Sequence, residues 1–206
     1  MTRRVVKIAT AALLMMSFAA GVGASQWSPF WDALAQRPDA KVTDGVNLQG
    51  EETRRIELSS GVVFSLTRHG DKITSFESDI SGHGAVRCAW EIYVTVRAHV
   101  EACSPGEDPD LEAELDYVID QINDFIAENS LVPITKPQLM EAVEQRKLEA
   151  KKAMIALPHE DQRKKCEVDG VSPIAKTAKA TPHDAWVSGL TKLLSVKRPP
   201  VWNPCL

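Results

Sequence analysis

The short motifs that mark common active sites are missing from this 206-residue chain. It has no G-x-S-x-G elbow to expose a serine, no glycine-rich loop to cradle phosphate and no H-E-x-x-H helix to seat zinc. The five histidines, His69, His83, His99, His159 and His183, never stand three or four residues apart, so no helical face aims two imidazoles at one metal. No two cysteines have the close C-x-x-C spacing of a zinc site. On these grounds no catalytic residue, metal or cofactor is assigned. An excess of positive charge is lacking too: 24 Lys and Arg face 28 Asp and Glu, giving a net charge of -4 and a pI near 5.8. That balance excludes a protein that holds nucleic acid through bulk positive charge.

The first signature that is present concerns export. Arg3, Arg4 and Lys7 charge the start, Ile8 to Ala20 is an uncharged run of 13 residues, and Val22-Gly23-Ala24 supplies small residues for cleavage. Residues 1–24 therefore read as a signal peptide, with a mature start at Ser25. The run falls short of the ~20 apolar residues that span a bilayer, and no later stretch reaches that length. No cysteine follows the cleavage position, which argues against a lipid anchor. Loss of three positive charges and no negative ones would take the net charge from -4 to -7. The expectation is an acidic protein in the periplasm or secreted, with no membrane span after cleavage.

Along residues 25–157 the hydrophobic spacing reads as an α+β domain. Ser28-Pro29 is a helix start, with a capping hydroxyl before proline, and Trp27, Phe30, Trp31 and Leu34 fall on one face. Lys41 to Gly50 shows no period and reads as a loop. Ile56 and Leu58, then Val62, Phe64 and Leu66, then Thr74, Phe76 and Ile80 recur at even spacings between turn residues, which predicts a three-stranded antiparallel meander packed on a helical layer. Ala85 to Cys103 reads as a helix, with a fourth strand as the alternative. Asp108-Pro109 opens a clearer helix on Leu111, Leu115, Val118, Ile119, Ile122, Phe125 and Ile126. Thr135 with Gln138 is a capping box for a further helix running to about Leu157. Six of the twelve prolines fall in residues 158–206, which read as an irregular C-terminal tail with one short helix from His183, docked on the core.

Four cysteines in an exported chain point to two disulfides. If residues 85–103 are helical, Cys88 and Cys103 lie about 22 Å apart, beyond the ~7 Å reach of a disulfide. Antiparallel helices would return the chain near Leu157 to the Cys103 end. The expected pairs are thus Cys103 with Cys166 and Cys88 with Cys205.

Nine acids and no base occupy residues 107–128. Glu112, Asp116, Asp120, Asp124 and Glu128 stand at successive fourth positions and so share one helix flank, a candidate surface for a cation or a basic partner. A calcium loop of the D-x-[DN]-x-[DN]-G type is absent. The simpler reading is a solvated face opposite Arg146, Lys147, Lys151 and Lys152 of the next helix. Taken together, the sequence leans away from an enzyme. It describes an exported, disulfide-stabilised binding or interaction module of the cell envelope, its partner another protein or an envelope component. The alternative is a periplasmic hydrolase whose acid and base carboxylates come from distant segments.

Overall fold

The computed structural model describes residues 27–168 and 170–205; the expected signal peptide lies outside them. A short helix α1 (Pro29–Ala35), capped by Ser28 Oγ accepting from the Trp31 amide at 3.4 Å, leads into four strands. These are β1 (Ala40–Val46), β2 (Glu52–Leu58), β3 (Val62–His69) and β4 (Lys72–Asp79), paired antiparallel in the order β1-β2-β3-β4. The protein is α+β, but its meander has four strands and not three. β1 falls where a loop was expected because it is an edge strand with almost no buried position. Its alternation is broken at Asp44, which pairs with Arg54 across the ladder at 2.8 Å instead of packing. Lys41, Asp44 and Gly45 also make this edge a poor template for further strands.

The face of β4 is the second difference. Register pairs Phe64 with Glu77 and Leu66 with Ser75, so Ile73, Ser75, Glu77 and Asp79 face the apolar side while Phe76 is 58% exposed. The apolar residues of β4 were thus a misleading guide to its inner face. That face of the sheet, with Ile56, Leu58, Val62, Phe64 and Leu66, is closed by Trp27, Leu34 of α1 and Val201. α1 and the C-terminal segment form this cover, where a layer of long helices had been expected.

Those long helices build a second core. They are α2 (Val86–Cys103), α3 (Pro109–Asn129) and α4 (Lys136–Ile155). α3 buries the seven apolar residues that its period marked, and the Thr135 amide donates to Gln138 Oε1 at 2.9 Å in the capping box of α4. α4 turns Leu139 inward and leaves Met140 half exposed. The expected irregular tail is also corrected: besides the expected helix from His183, here α7 (His183–Leu194), it contains α5 (His159–Glu167) and α6 (Val171–Ala180). Pro158 and Pro182 sit at helix starts, where a missing amide costs nothing, so proline density here marks helix boundaries and not irregularity. α7 buries Trp186 and Leu190 against the helical core.

The remaining C-terminal residues, 195–205, form a strap between the two cores. Arg198 donates from Nε to Asp79 Oδ2 at 2.5 Å, from one Nη to the Gly84 and Leu193 carbonyls and from the other to the Val196 carbonyl. The pair is almost fully buried, with side chains 0% and 1% exposed, and the guanidinium also lies over the Phe125 ring of α3 at 5.8 Å. Asp79 spends its other oxygen on the Ser81 amide and hydroxyl. Farther on, the Asp79 amide donates to the Asn203 carbonyl at 2.7 Å and Asn203 Nδ2 donates to the Glu77 carbonyl at 3.0 Å. The strap therefore supplies backbone partners at Glu77 and Asp79, the C-terminal end of the β4 edge. It also serves α2, which has no side-chain cap: the Arg87 amide donates to the Val201 carbonyl at 3.1 Å. Cys88 in the first turn of α2 is bonded to Cys205, and Cys103 at its last turn to Cys166, with Cα separations of 5.2 and 5.5 Å. Both expected pairings are present.

Removing one member of a buried pair strands the other charge, whereas replacing both removes the unpaired charge and leaves the Val196, Gly84 and Leu193 carbonyls and the Ser81 donors without these partners. Arg198→Met should lower the free energy of unfolding by about 3–5 kcal/mol in urea titration. The double variant Asp79→Leu/Arg198→Met should recover part of that loss; an additive double variant would show that the two side chains are not coupled.

Candidate functional site

The acidic flank of α3 is divided between two cations. Arg97 of α2 reaches Asp116 Oδ1 at 2.8 Å, Glu112 Oε2 at 3.1 Å and Glu101 Oε2 at 2.9 Å. Lys136 at the start of α4 reaches Asp120 at 2.8 Å and Asp124 at 2.9 Å, and Glu128 is exposed at the end of α3. Burial opposes the charge of Arg97, yet Asp116 and then Glu101 and Glu112 outweigh it and hold the guanidinium above its ordinary pKa. Glu101 is held below the carboxylate range by Lys151, against burial, and by Arg97. Of the four bases expected to face the flank, Arg146 pairs with Glu91 and Lys151 with Glu101, while Lys147 pairs with Glu144 beside Asp116 and Asp120. The one sequence signal for the buried role of Arg97 was Glu101 four residues on.

Between α3 and α4 the same flank borders a groove of about 330 Å³. Ile119, Val143 and the half-exposed Met140 supply its apolar surface, and Asp116, Asp120 and Glu144 stand along it opposed by Lys147. Of the five flank acids, Asp116 and Asp120 line this groove; Glu112, Asp124 and Glu128 do not. Among the described residues no cluster of three or more His, Cys, Asp or Glu side chains is arranged to hold a metal ion.

A different set of polar groups meets where the tail helices pack on the start of α3. A cavity of about 280 Å³ is bordered by Asp108, Asp110 and Glu114 on the α3 side and by Lys179, Thr181 and His183 on the tail side. His183 Nδ1 lies 2.7 Å from Glu114 Oε2, and Lys179 Nζ lies 2.6 Å from Asp108 Oδ2. Lys179, with the Leu111 amide, keeps the Asp108 carboxyl below its usual range. Glu114 raises the pKa of His183, supported by Asp184. Sequence reading missed this group because its members lie 69 residues apart in the chain and only the docking of α7 unites them.

Lys179 also borders the neighbouring cavity of about 210 Å³, which reaches the Cys103–Cys166 bond. There His99 Nε2 stands 3.3 Å from Ser172 Oγ, and Ser172 in turn reaches the Lys165 and Cys166 carbonyls at 3.1 and 2.9 Å. Ser172 is 1% exposed, so its hydroxyl orients His99 and is not presented for attack. Burial, then the Lys165 charge, lowers the His99 pKa. Of the other histidines, His69 closes the β3–β4 hairpin on Glu51 and Thr74, and His83 meets Ser195 and the Lys192 carbonyl. Compared with protein-family models, curated proteins and solved structures, the chain matches none of them.

The His183 pair has a signed pH dependence. A histidine whose folded pKa is raised contributes stability that is complete below the unfolded value near 6.5 and is lost as pH rises through the folded value. The melting-temperature difference between the wild type and His183→Gln should therefore be larger at pH 5.5 than at pH 8.5, and should shrink with added salt because the pair is exposed. A difference independent of pH would contradict the pairing.

Proposed function

We propose that the chain is an exported, disulfide-stabilised protein, periplasmic or secreted, that works by binding another protein or an envelope component. In this reading residues 1–24 are a cleaved signal peptide, residues 25–157 the core, and residues 158–206 a C-terminal extension docked on it. Two disulfides in the structure are compatible with export. No helix among the described residues is long and apolar enough to cross a membrane.

The observation that carries the binding reading is the α3–α4 groove. Its apolar surface includes Met140, an unbranched side chain able to adapt to a partner. The carboxylates beside it are paired, Asp116 with Arg97, Asp120 with Lys136 and Glu144 with Lys147, so a partner segment with an apolar anchor flanked by Lys or Arg would exchange with these cations. The test is capture from envelope extracts by the mature, oxidised protein, with Asp120→Asn/Met140→Ser/Glu144→Gln as the matched control. A partner retained by the wild type, weakened at least about tenfold by the triple variant and released by salt is the expected result. Retention unaffected by the triple variant would overturn the assignment to this groove.

The Glu114–His183 contact favours the second reading, a periplasmic hydrolase. A carboxylate at 2.7 Å from the imidazole, with Asp108 and Asp110 on the same cavity, is an acid–base set from distant segments. Turnover of an ester, amide or glycoside substrate that is abolished by His183→Gln would move the assignment to this reading.

A further inference from the structure

Beyond the binding reading, we propose that the Cys103–Cys166 bond is a thiol-exchange site in which His99 relays the proton. Ser172 Oγ lies within reach of two carbonyls, which take its hydroxyl proton, so it accepts from His99 Nε2. That fixes the ring proton on Nε2 and leaves Nδ1 facing Cys103 Sγ at 3.8 Å. Both cysteines are partly exposed and line the cavity of about 210 Å³, with Lys176 and Lys179 on one side and Glu107 and Asp108 on the other. Lys165 adds a positive charge felt by His99. A thiolate formed at Cys103 has His99 Nδ1, the lysines of the cavity and solvent access beside it, set against the C-terminal end of α2, whose dipole disfavours an anion.

The chemistry balances with an external thiol as co-reactant. The thiol ionises in solvent, and its thiolate attacks Cys166 Sγ. The Cys103–Cys166 bond breaks, a mixed disulfide forms on Cys166, and the electron pair goes to Cys103 Sγ. The proton released by the incoming thiol is returned to Cys103 Sγ through His99 Nδ1. Exchange with a second thiol reverses or completes the transfer. The other bridge lacks this arrangement. Cys88 is 4% exposed, and its partner Cys205 ends the strap, so opening that bridge would loosen the junction of sheet and helices. Opening Cys103–Cys166 is also structurally local, because α5, which carries Cys166, has no buried residue.

The test uses the mature, oxidised protein with limiting glutathione at pH 7, acid quenching and mapping of each cysteine. The expected first product carries glutathione on Cys166 and a free thiol at Cys103, with Cys88–Cys205 intact. Cys103–Cys166 should open about tenfold faster than Cys88–Cys205, and His99→Leu should slow it about tenfold without changing the rate at Cys88–Cys205. A parallel arm with a reduced dithiol protein in place of glutathione separates the two thiol sources: faster exchange there assigns a protein thiol as the natural co-reactant, and equal or slower exchange a small one. Glutathione found on Cys103 or Cys205, equal opening of the two bridges, or a wild-type rate in folded His99→Leu would overturn the proposal. If His99→Leu does not fold, the position of the adduct on the wild-type protein decides the matter alone.

Discussion

The architecture depends on one buried ion pair. Asp79 closes the last strand, and Arg198 is the first strap residue to enter the interior; each is desolvated, and each satisfies its remaining valences on backbone groups or on Ser81. A charge in such a place is tolerated only when it is paired and fully hydrogen-bonded. The arginine meets all of these conditions by touching the end of β4, the entrance to α2, the end of α7 and the face of Phe125 at once. Such a pair adds little net stability compared with a well-packed apolar replacement, and its value lies in fixing one position of the strap. Gly61 belongs to the same corner, because a side chain there would run into the Ser81 backbone at 2.7 Å.

Once the strap is placed, two separate cores become one molecule. The sheet's apolar face takes Val201 as a member, and α2 takes the Val201 carbonyl as the acceptor that its missing cap would have supplied. Glu77 is drawn into the same contact. Burial raises its pKa, against the Trp202 amide and the Arg87 charge that favour the ionised form. The cystine at Cys205 ends the strap on α2, so the chain is fastened at both ends of the region that joins sheet to helices. The second cystine fastens α5 to the far end of α2 and borders the same cavity as His99 and Lys179.

The sequence read most clearly where periodicity and burial coincide. α3 has a strict apolar face, the helical length of residues 86–103 forbids a Cys88–Cys103 bond, and the antiparallel return of the next helices to the Cys103 end selects the observed pairing. It read poorly wherever a tertiary partner outweighs local pattern. β4 turns Glu77 and Asp79 inward because the strap supplies amides and a guanidinium, which no spacing within the strand records. β1 hides its alternation because it is exposed, and the proline density of the tail concealed α5 and α6, although the helix from His183 was legible. The acidic flank was legible as a row of charges, but its cations were not: Arg97 and Lys136 act from positions selected by helix packing. The Glu114–His183 cavity and the setting of His99 were invisible for the same reason, since both need the tail helices in place.

The central claim is that the strap makes the sheet and the helices a single cooperative unit. Native-state hydrogen exchange across a urea series tests it most directly, comparing amides of β2 and β3 with amides of α2 and α3 in the wild type and in Arg198→Ala/Cys88→Ser/Cys205→Ser. The account predicts that in the wild type the slowest amides of both regions share one opening free energy and one urea dependence. In the variant the sheet amides should open at a lower free energy while the helices keep theirs. Continued coincidence of the two regions in the variant would contradict it.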